Sequence, residues 1–432
     1  GYSVLCRHLK RHRRQKQTRF TVDPLFPFGI VADVRARPQS LGQARKLLIS
    51  MKKRLPGDKL LWRILRPILR HPFIKRYNLH GIGLQRLPEP PFILIGNHAY
   101  FIDAVLIEAL VSYPIVWAVA AGNFSNPLSG PILRAGGSIR KRKGVPDIPA
   151  MRKMIEVVST GGVLGLMPEG SVTWDGEFGE VPPGTAKFLD RLNVPIVAAR
   201  MSGAYLTKPR WADHHRWGRI EVEFQSFEGK GALDYLSEAS DWRWQERKRI
   251  PFKGRRKAEG IEKIIWFCEE CHSFQTVKAK GDSAECKRCG LTYTVDDFGY
   301  VSGRTVTDIL EIQKKLLSDY IAEKGKIEVG EGVITELQIG TGNKSKFIGK
   351  VTLDRNDLRV GERCYSLSKI RGFSNFLKRI NEFNYEDSIM RLKTEISSLL
   401  LFWAQRYFSH SGAVSYTHLR AHETVLDLVC RL

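Results

Sequence analysis

Four short apolar runs, Phe92–Ile95, Pro114–Ala121, Val163–Met167 and Val194–Ala199, constrain this chain more than any other feature. Such runs, unbroken by polar alternation, read as strands covered on both faces. Between them lie stretches with helical spacing: Ala104–Leu110, Ile148–Thr160 ended by Gly161-Gly162, and Ala186–Leu192. Buried strands separated by helices predict an α/β fold, a sheet with parallel pairs and helices on its faces. Arg219–Phe224 alternates polar and apolar residues and predicts an edge or half-exposed strand.

The charge is uneven. Of a net +24 over 432 residues, residues 1–80 supply +17, from twenty Lys/Arg against Asp23, Asp33 and Asp58. This fifth of the chain is a candidate for contact with anionic lipid or nucleic acid. No apolar run is long enough to cross a membrane; Phe101–Ala121 is interrupted by Asp103, Glu108 and Pro114. Leu60–Tyr77 mixes Trp, Leu, Ile and Phe with Arg and Lys, the composition of a helix lying in a membrane interface, kinked by Pro67 and Pro72. The alternative is an ordinary amphipathic helix packed on the protein's own core. The chain opens at Gly1 rather than Met, so an upstream segment is expected. Residues 414–432 resemble one reading frame of a transposase-type sequencing adapter, so their His and Cys are set aside.

His98 and Asp103 stand five apart where strand Phe92–Ile95 gives way to a helix. A His supplies a base near neutral pH, and a carboxylate within reach fixes its tautomer and stabilises the imidazolium. Alone the pair is weak, since a structural His at a helix start gives the same pattern. Its company is more specific: Gly136-Gly-Ser-Ile-Arg-Lys-Arg142, Met167-Pro168-Glu169-Gly170 after a buried strand, and Val194-Pro195-Ile196-Val197.

In these blocks the chain resembles the glycerolipid acyltransferase family of the 1-acylglycerol-3-phosphate acyltransferase type. That family shows NHxxxxD, a Gly-rich block ending in Arg, a (F)PEGTR block and a VPI block, and all four occur here in order between 97 and 199. The resemblance covers roughly residues 60–235. It implies that His98 takes the proton from an acceptor hydroxyl and that Asp103 orients His98. The hydroxyl would attack the thioester of acyl-CoA or acyl-carrier protein. It further implies that Asn97, Arg140, Arg142, Pro168, Glu169, Gly170 and Ser171 form the acceptor site, with Arg142 on the phosphate, and that Val194 and Pro195 line the acyl side. A thioester is already activated, so no catalytic cofactor is expected; no Gly-x-Ser-x-Gly elbow signals a covalent intermediate.

One departure stands out. The family's third block continues Thr-Arg, whereas this chain has Ser171-Val172. A lost charged phosphate contact costs about 1.5–3 kcal/mol unless replaced. Arg140, Lys141 or Lys143 are candidate replacements; otherwise the acceptor is another lysophospholipid.

Cys268-Glu-Glu-Cys271 and Cys286-Lys-Arg-Cys289-Gly290 form a second signal. Two CxxC knuckles fourteen residues apart predict a four-thiolate structural zinc site. Cys271-His272 also completes CxxCH, a haem-attachment pattern, and disulfides are a further alternative.

The expected organisation is a basic segment (1–58), an acyltransferase domain opened by the interfacial helix (59–238), a charged linker or linking helix (239–260), a zinc ribbon (261–300), a helix with a small mostly-β module (301–413) and the adapter-like tail. The expected activity yields phosphatidic acid in phospholipid biosynthesis at the cytoplasmic face of the membrane, with a lysophospholipid and acyl-CoA or acyl-carrier protein as partners. The competing classes are a nucleic-acid-binding ribbon protein, which leaves the four ordered blocks unexplained, and a catalytically silent lipid-binding relative.

Overall fold

The structure is a computed structural model describing residues 56–57, 60–143, 145–338 and 343–411. The basic segment up to residue 55, with its expected helix at 41–55, and the adapter-like tail lie outside the described residues, as does most of the turn expected at 340–344. Residues 54–432 group as one compact unit.

The first layer is built from α1 (Leu60–Arg76), β1 (Leu79–Ile82), β2 (Phe92–Gly96), α2 (Asp103–Leu110), β3 (Ile115–Ala120), α3 (Ser129–Ala135), β4 (Ile139–Lys141), α4 (Ile148–Ser159), β5 (Val163–Leu166), α5 (Pro183–Arg191), β6 (Ile196–Ser202), α6 (Ala204–Thr207), β7 (Arg216–Trp217) and β8 (Ile220–Phe227). Seven of these strands form a sheet in the order β1-β8-β6-β2-β5-β3-β4. Pairings from β6 through β2, β5 and β3 to β4 are parallel; β8 runs antiparallel to β6, and β1 follows β8 in parallel. β2 lies at the centre with all five residues buried. Its side chains alternate between two cores: Phe92 and Leu94 face one, Ile93 and Ile95 the other. The continuous apolar run thus reflects helices on both faces.

The alternating segment at 219–224, expected as an edge or half-exposed strand, does not lie at the sheet edge. β8 sits between β6 and β1, because its charged residues are paired: Glu221 accepts from Trp244 Nε1 at 2.9 Å, and Glu223 meets Arg200 of β6 at 2.7 Å. The segment 239–260, expected as a linker or linking helix, holds a helix packed into the core. It contains α7's successor, α8 (Asp241–Lys248), after α7 (Ala232–Ser237), capped by Ser240 Oγ accepting from Arg243 N at 3.1 Å. Trp242 and Trp244 are buried in the core. Two tryptophans and a buried Gln245 anchor this helix, so no apolar periodicity announces it.

A short strand, β9 (Lys253–Gly254), and a three-stranded ribbon of β10 (Val277–Lys280), β11 (Ser283–Cys286) and β12 (Thr292–Thr294) follow, but β9 pairs with β7 rather than with the ribbon. Helix α9 (Val306–Lys324) starts at a capping box between Thr305 and Asp308 and stops at Gly325, φ +68°. The buried Gln313 of α9 accepts from Trp266 N (2.8 Å) and Phe267 N (2.9 Å) and donates to Phe267 O (3.0 Å), stitching the helix to the ribbon. Beyond it, β13 (Lys326–Gln338), β14 (Lys344–Asp354), β15 (Asp357–Val360), β16 (Arg363–Ser366), β17 (Arg371–Leu377), β18 (Ile380–Tyr385) and β19 (Ser388–Thr394) form an antiparallel sheet ordered β16-β15-β14-β13-β19-β18-β17, closed by α10 (Ser398–Ser411). The expected small β module is therefore a full second sheet. One contiguous apolar core runs from the first sheet through the ribbon into it.

Among the described residues no helix is long and apolar enough to cross a membrane. In α1, Ile64 and Ile68 are exposed. Arg66 and Arg70, by contrast, donate to the carbonyls of Val111 and Ala109 at the end of α2, at 2.5 and 2.9 Å. Cations there satisfy orphan carbonyls and oppose the helix dipole.

Candidate active site

The parallel strands end on one side of the sheet, and His98 leaves the end of β2 there. Asp103 opens α2, where the positive end of the helix dipole favours a carboxylate. Its Oδ2 lies 2.9 Å from His98 Nδ1 and accepts from Tyr100 N at 2.9 Å. The His98 side chain is 23% exposed and that of Asp103 0%. Burial pushes the Asp103 carboxyl up, and its bonding to His98 opposes that shift. With Nδ1 engaged by a buried carboxylate, Nε2 is the nitrogen left to face a substrate.

The loop after β5 grips the backbone of His98 from both sides. Glu169 Oε2 accepts from His98 N at 2.5 Å, and Thr173 N donates to His98 O at 2.8 Å. The other oxygen of Glu169 accepts from Gly179 N at 2.8 Å. Burial pushes the Glu169 carboxyl up to about 8, against the two backbone donations that favour its charged form. Glu169 thus acts on the loop carrying the base. Gly170 takes φ +69°, the left-handed turn that lets the loop reverse. Pro168 is buried beneath it.

Other expected site residues are placed as follows. Asn97 is buried, donating to Met201 O at 2.9 Å and accepting from Met201 N at 2.7 Å, so its amide is a strut between the end of β2 and β6. Arg142 is held by Asp147, which accepts from its backbone N at 2.8 Å and approaches its Nε at 3.8 Å. Arg140 is exposed. Ser171 Oγ accepts from Lys143 Nζ at 3.3 Å. Val194 and Pro195 are not brought to the pair. Ile93 pairs with Ile196 and Gly96 with Ala199, so the two residues lie at the start of β6, level with the start of β2. From there to the His98 end the strand rises roughly 13 Å. Parallel pairing separates what linear order had grouped.

The acyltransferase family profile matches residues 45–202. The chain is 25% identical over 126 residues to the chloroplastic 1-acyl-sn-glycerol-3-phosphate acyltransferase BAT2 of Brassica napus, a match covering 28% of this chain and 36% of that relative. By these matches the chain resembles the glycerolipid acyltransferases over residues 45–202. It spans about a third of the length of that curated relative. The crystal structure of the 1-acyl-sn-glycerophosphate (LPA) acyltransferase PlsC from Thermotoga maritima aligns at 18% identity with a TM-score of 0.35, covering 48% of this chain and 88% of that one. Within this chain the blocks around His98 and Glu169 meet in space, while the fourth supplies the sheet.

Sequence reasoning did not find Arg210, which donates to Val172 O at 2.6 Å, or Asn375, whose carbonyl accepts from Arg210. Neither lies in a motif; the first follows β6 and the second is on β17.

The four cysteines converge. Cys268, Cys271, Cys286 and Cys289 place their sulfurs within 4.8 Å of one another. A tetrahedral zinc with Zn–S of about 2.3 Å requires sulfurs ~3.8 Å apart. Here Cys268–Cys289 is 3.4 Å and Cys271–Cys286 3.7 Å. The donor set therefore fits a four-thiolate ion, whereas haem attachment would use only two of the sulfurs. Thr276 Oγ1 lies 3.2 Å from Cys286 Sγ and Ser273 Oγ 3.2 Å from Cys271 Sγ, the outer bonds that orient thiolates. The cluster lies in the ribbon, apart from the His98 loop in sequence and element, and its metal would brace the fold.

Proposed function

We propose that this acyltransferase moves a fatty acyl group from acyl-CoA or acyl-carrier protein to the free hydroxyl of 1-acylglycerol 3-phosphate, giving phosphatidic acid. The observation that carries the reading is the His98–Asp103 contact of 2.9 Å, with the carboxylate buried and the imidazole open. Nε2 takes the hydroxyl proton as the oxygen attacks the thioester carbonyl. The tetrahedral intermediate collapses, the C–S bond breaks, and the proton passes from the imidazolium to the departing thiolate. Asp103 stabilises the imidazolium between these steps. Glu169 and Thr173 hold His98 in place through its backbone. No residue of the chain is required to form a covalent intermediate.

We propose further that the reaction runs at a membrane surface, on its cytoplasmic face. The exposed Ile64 and Ile68 of α1 and Phe101 beside the catalytic pair support contact with a membrane surface. Arg66 and Arg70 contribute to the fold rather than to headgroup contact, so the apolar side chains carry the docking.

The testing experiment is transfer from labelled acyl-CoA to a panel of lysophospholipids, comparing the natural sequence with His98→Ala. Transfer abolished in the variant supports the assignment; equal rates refute it. Because position 172 lacks arginine, a second reading keeps the chemistry and changes the acceptor. Preference for a lysophospholipid with a larger headgroup would favour it.

A further inference from the structure

The turn after β5 carries no cation: it reads Glu169-Gly170-Ser171-Val172, where the family pattern ends in arginine. The fold brings two cations to it from elsewhere. Arg210, in the segment after β6, donates from Nη1 to Val172 O at 2.6 Å, and its guanidinium lies 4.6 Å from the Trp174 ring centre. Lys143, just after β4, donates from Nζ to Ser171 Oγ at 3.3 Å. The second sheet supplies a third element. Asn375 of β17 accepts from Arg210 Nη2 through its carbonyl and lies 3.5 Å from Nη1 through Oδ1. Asn384 of β18 donates to Lys143 O at 3.3 Å.

The oxygens facing these cations are neutral: two carbonyls, an amide and a hydroxyl. Among the described residues neither cation has a carboxylate within ion-pair distance. Glu382 of β18 is the acid whose field reaches Lys143, and it is committed to Arg391 at 2.8 Å. Burial lowers Lys143 to about 8, with Arg210 adding to the shift, and lowers Arg210 to about 9. Enclosing two neighbouring cations without a counter-charge is costly, and an anion bound between them would offset that cost. A guanidinium fork and an ammonium suit phosphate oxygens. The position is also suitable: the same loop holds His98 through Glu169 and Thr173, so a phosphate at Ser171–Val172 would bring its glycerol hydroxyl toward the base.

We propose that Arg210 and Lys143 bind the phosphate of the acceptor in place of the arginine missing at 172, and that Asn375 of the second sheet is the positioning residue that holds Arg210 there. The proposal rests on the acyl-transfer reading for the identity of the acceptor, but not for the anion site itself. It gives the C-terminal sheet a role in acceptor choice.

The test uses the full chain and two readouts. Calorimetry measures binding of glycerol 3-phosphate, with glycerol as the phosphate-free control. Kinetics compare 1-acylglycerol 3-phosphate with 1-acylglycerol. Arg210→Met should weaken glycerol 3-phosphate binding and raise KM for the phosphate acceptor by roughly 10- to 100-fold, with a much smaller change for the phosphate-free acceptor. Arg210→Lys should recover part of the loss, and Asn375→Ala should show a smaller effect of the same selectivity. Equal losses on both acceptors would make Arg210 structural and overturn the proposal, as would unchanged KM and binding. If Arg210→Met does not fold, Arg210→Lys decides by itself: it should bind glycerol 3-phosphate several-fold more weakly than the natural sequence, and equal binding overturns the proposal. Should the natural protein acylate neither acceptor, the acyl-transfer reading fails, while phosphate-dependent binding lost on substitution still supports the cation pair.

Discussion

The Glu169 carboxylate accepts the backbone N–H of His98 at 2.5 Å, so the residue expected to shape the acceptor site fixes the chain that carries the base. Its second oxygen accepts from Gly179 N, which ties the far end of the same loop to that point. The loop, the base and the start of α2 form one hydrogen-bonded unit around the end of β2.

That relationship makes stability depend on pH. Burial raises Glu169 to about 8 from an ordinary value near 4.5. Between those values the folded chain holds a proton the unfolded chain has lost, so stability falls as pH rises across the window. Glu169→Gln should be less stable throughout, since an amide offers one acceptor to two backbone donors. Its stability should also fall less steeply between pH 5 and 8 than that of the natural sequence. Urea unfolding at several pH values measures both; parallel curves would remove Glu169 from the account.

His98→Ala should lower kcat by about 10²–10⁴-fold with little change in acceptor KM, the range of a positioned general base. Asp103→Asn should also lower kcat, because an amide can donate to Nδ1 and leave the proton on Nε2, the wrong tautomer for a base. A fully active Asp103→Asn enzyme would contradict the orienting role.

The cysteine cluster predicts one tightly bound zinc per chain by elemental analysis. Cys286→Ser should lower the metal content and the melting temperature together. Chelation should destabilise the protein without a change in kcat while the chain remains folded, since the ribbon supplies no group to the His98 loop. Loss of kcat at full foldedness would assign the metal a nearer role.

Gln313→Leu should destabilise by about 3 kcal/mol or more, because it leaves Trp266 N, Phe267 N and Phe267 O buried without their partner. The urea midpoint reads this directly, and a near-neutral effect would show that the ribbon and α9 do not depend on that link.

Ile64→Ser with Ile68→Ser should reduce sedimentation with vesicles containing anionic lipid while leaving the melting temperature nearly unchanged, since both side chains are exposed. Unchanged sedimentation would move membrane contact away from α1.

The central sheet was legible in the apolar runs, because strands covered on both faces cannot alternate. The end of α4 was legible in Gly161-Gly162, and the cysteine knuckles in their spacing, because local geometry dictates those residue types. The helix at 241–248 was legible only as one alternative to a linker, and its burial was not, because that burial rests on two tryptophans and on polar groups satisfied by distant partners. Nor was the interior position of β8, since Glu221 and Glu223 look solvent-facing until Trp244 and Arg200 are brought beside them.

The sequence by itself determined the local essentials: a base and its carboxylate five residues apart, the turn that follows a buried strand, and four thiols with metal-ligand spacing. These depend on short separations along the chain, where backbone geometry leaves few choices. Only the tertiary structure decided that Val194 and Pro195 stand at the opposite end of the sheet, that Asn97 is a strut, and that Arg210 reaches Val172 under Asn375. Those relations join residues 38 and 165 positions apart. Parallel pairing and the packing of the second sheet create them, and no local pattern along the chain encodes such long-range contacts.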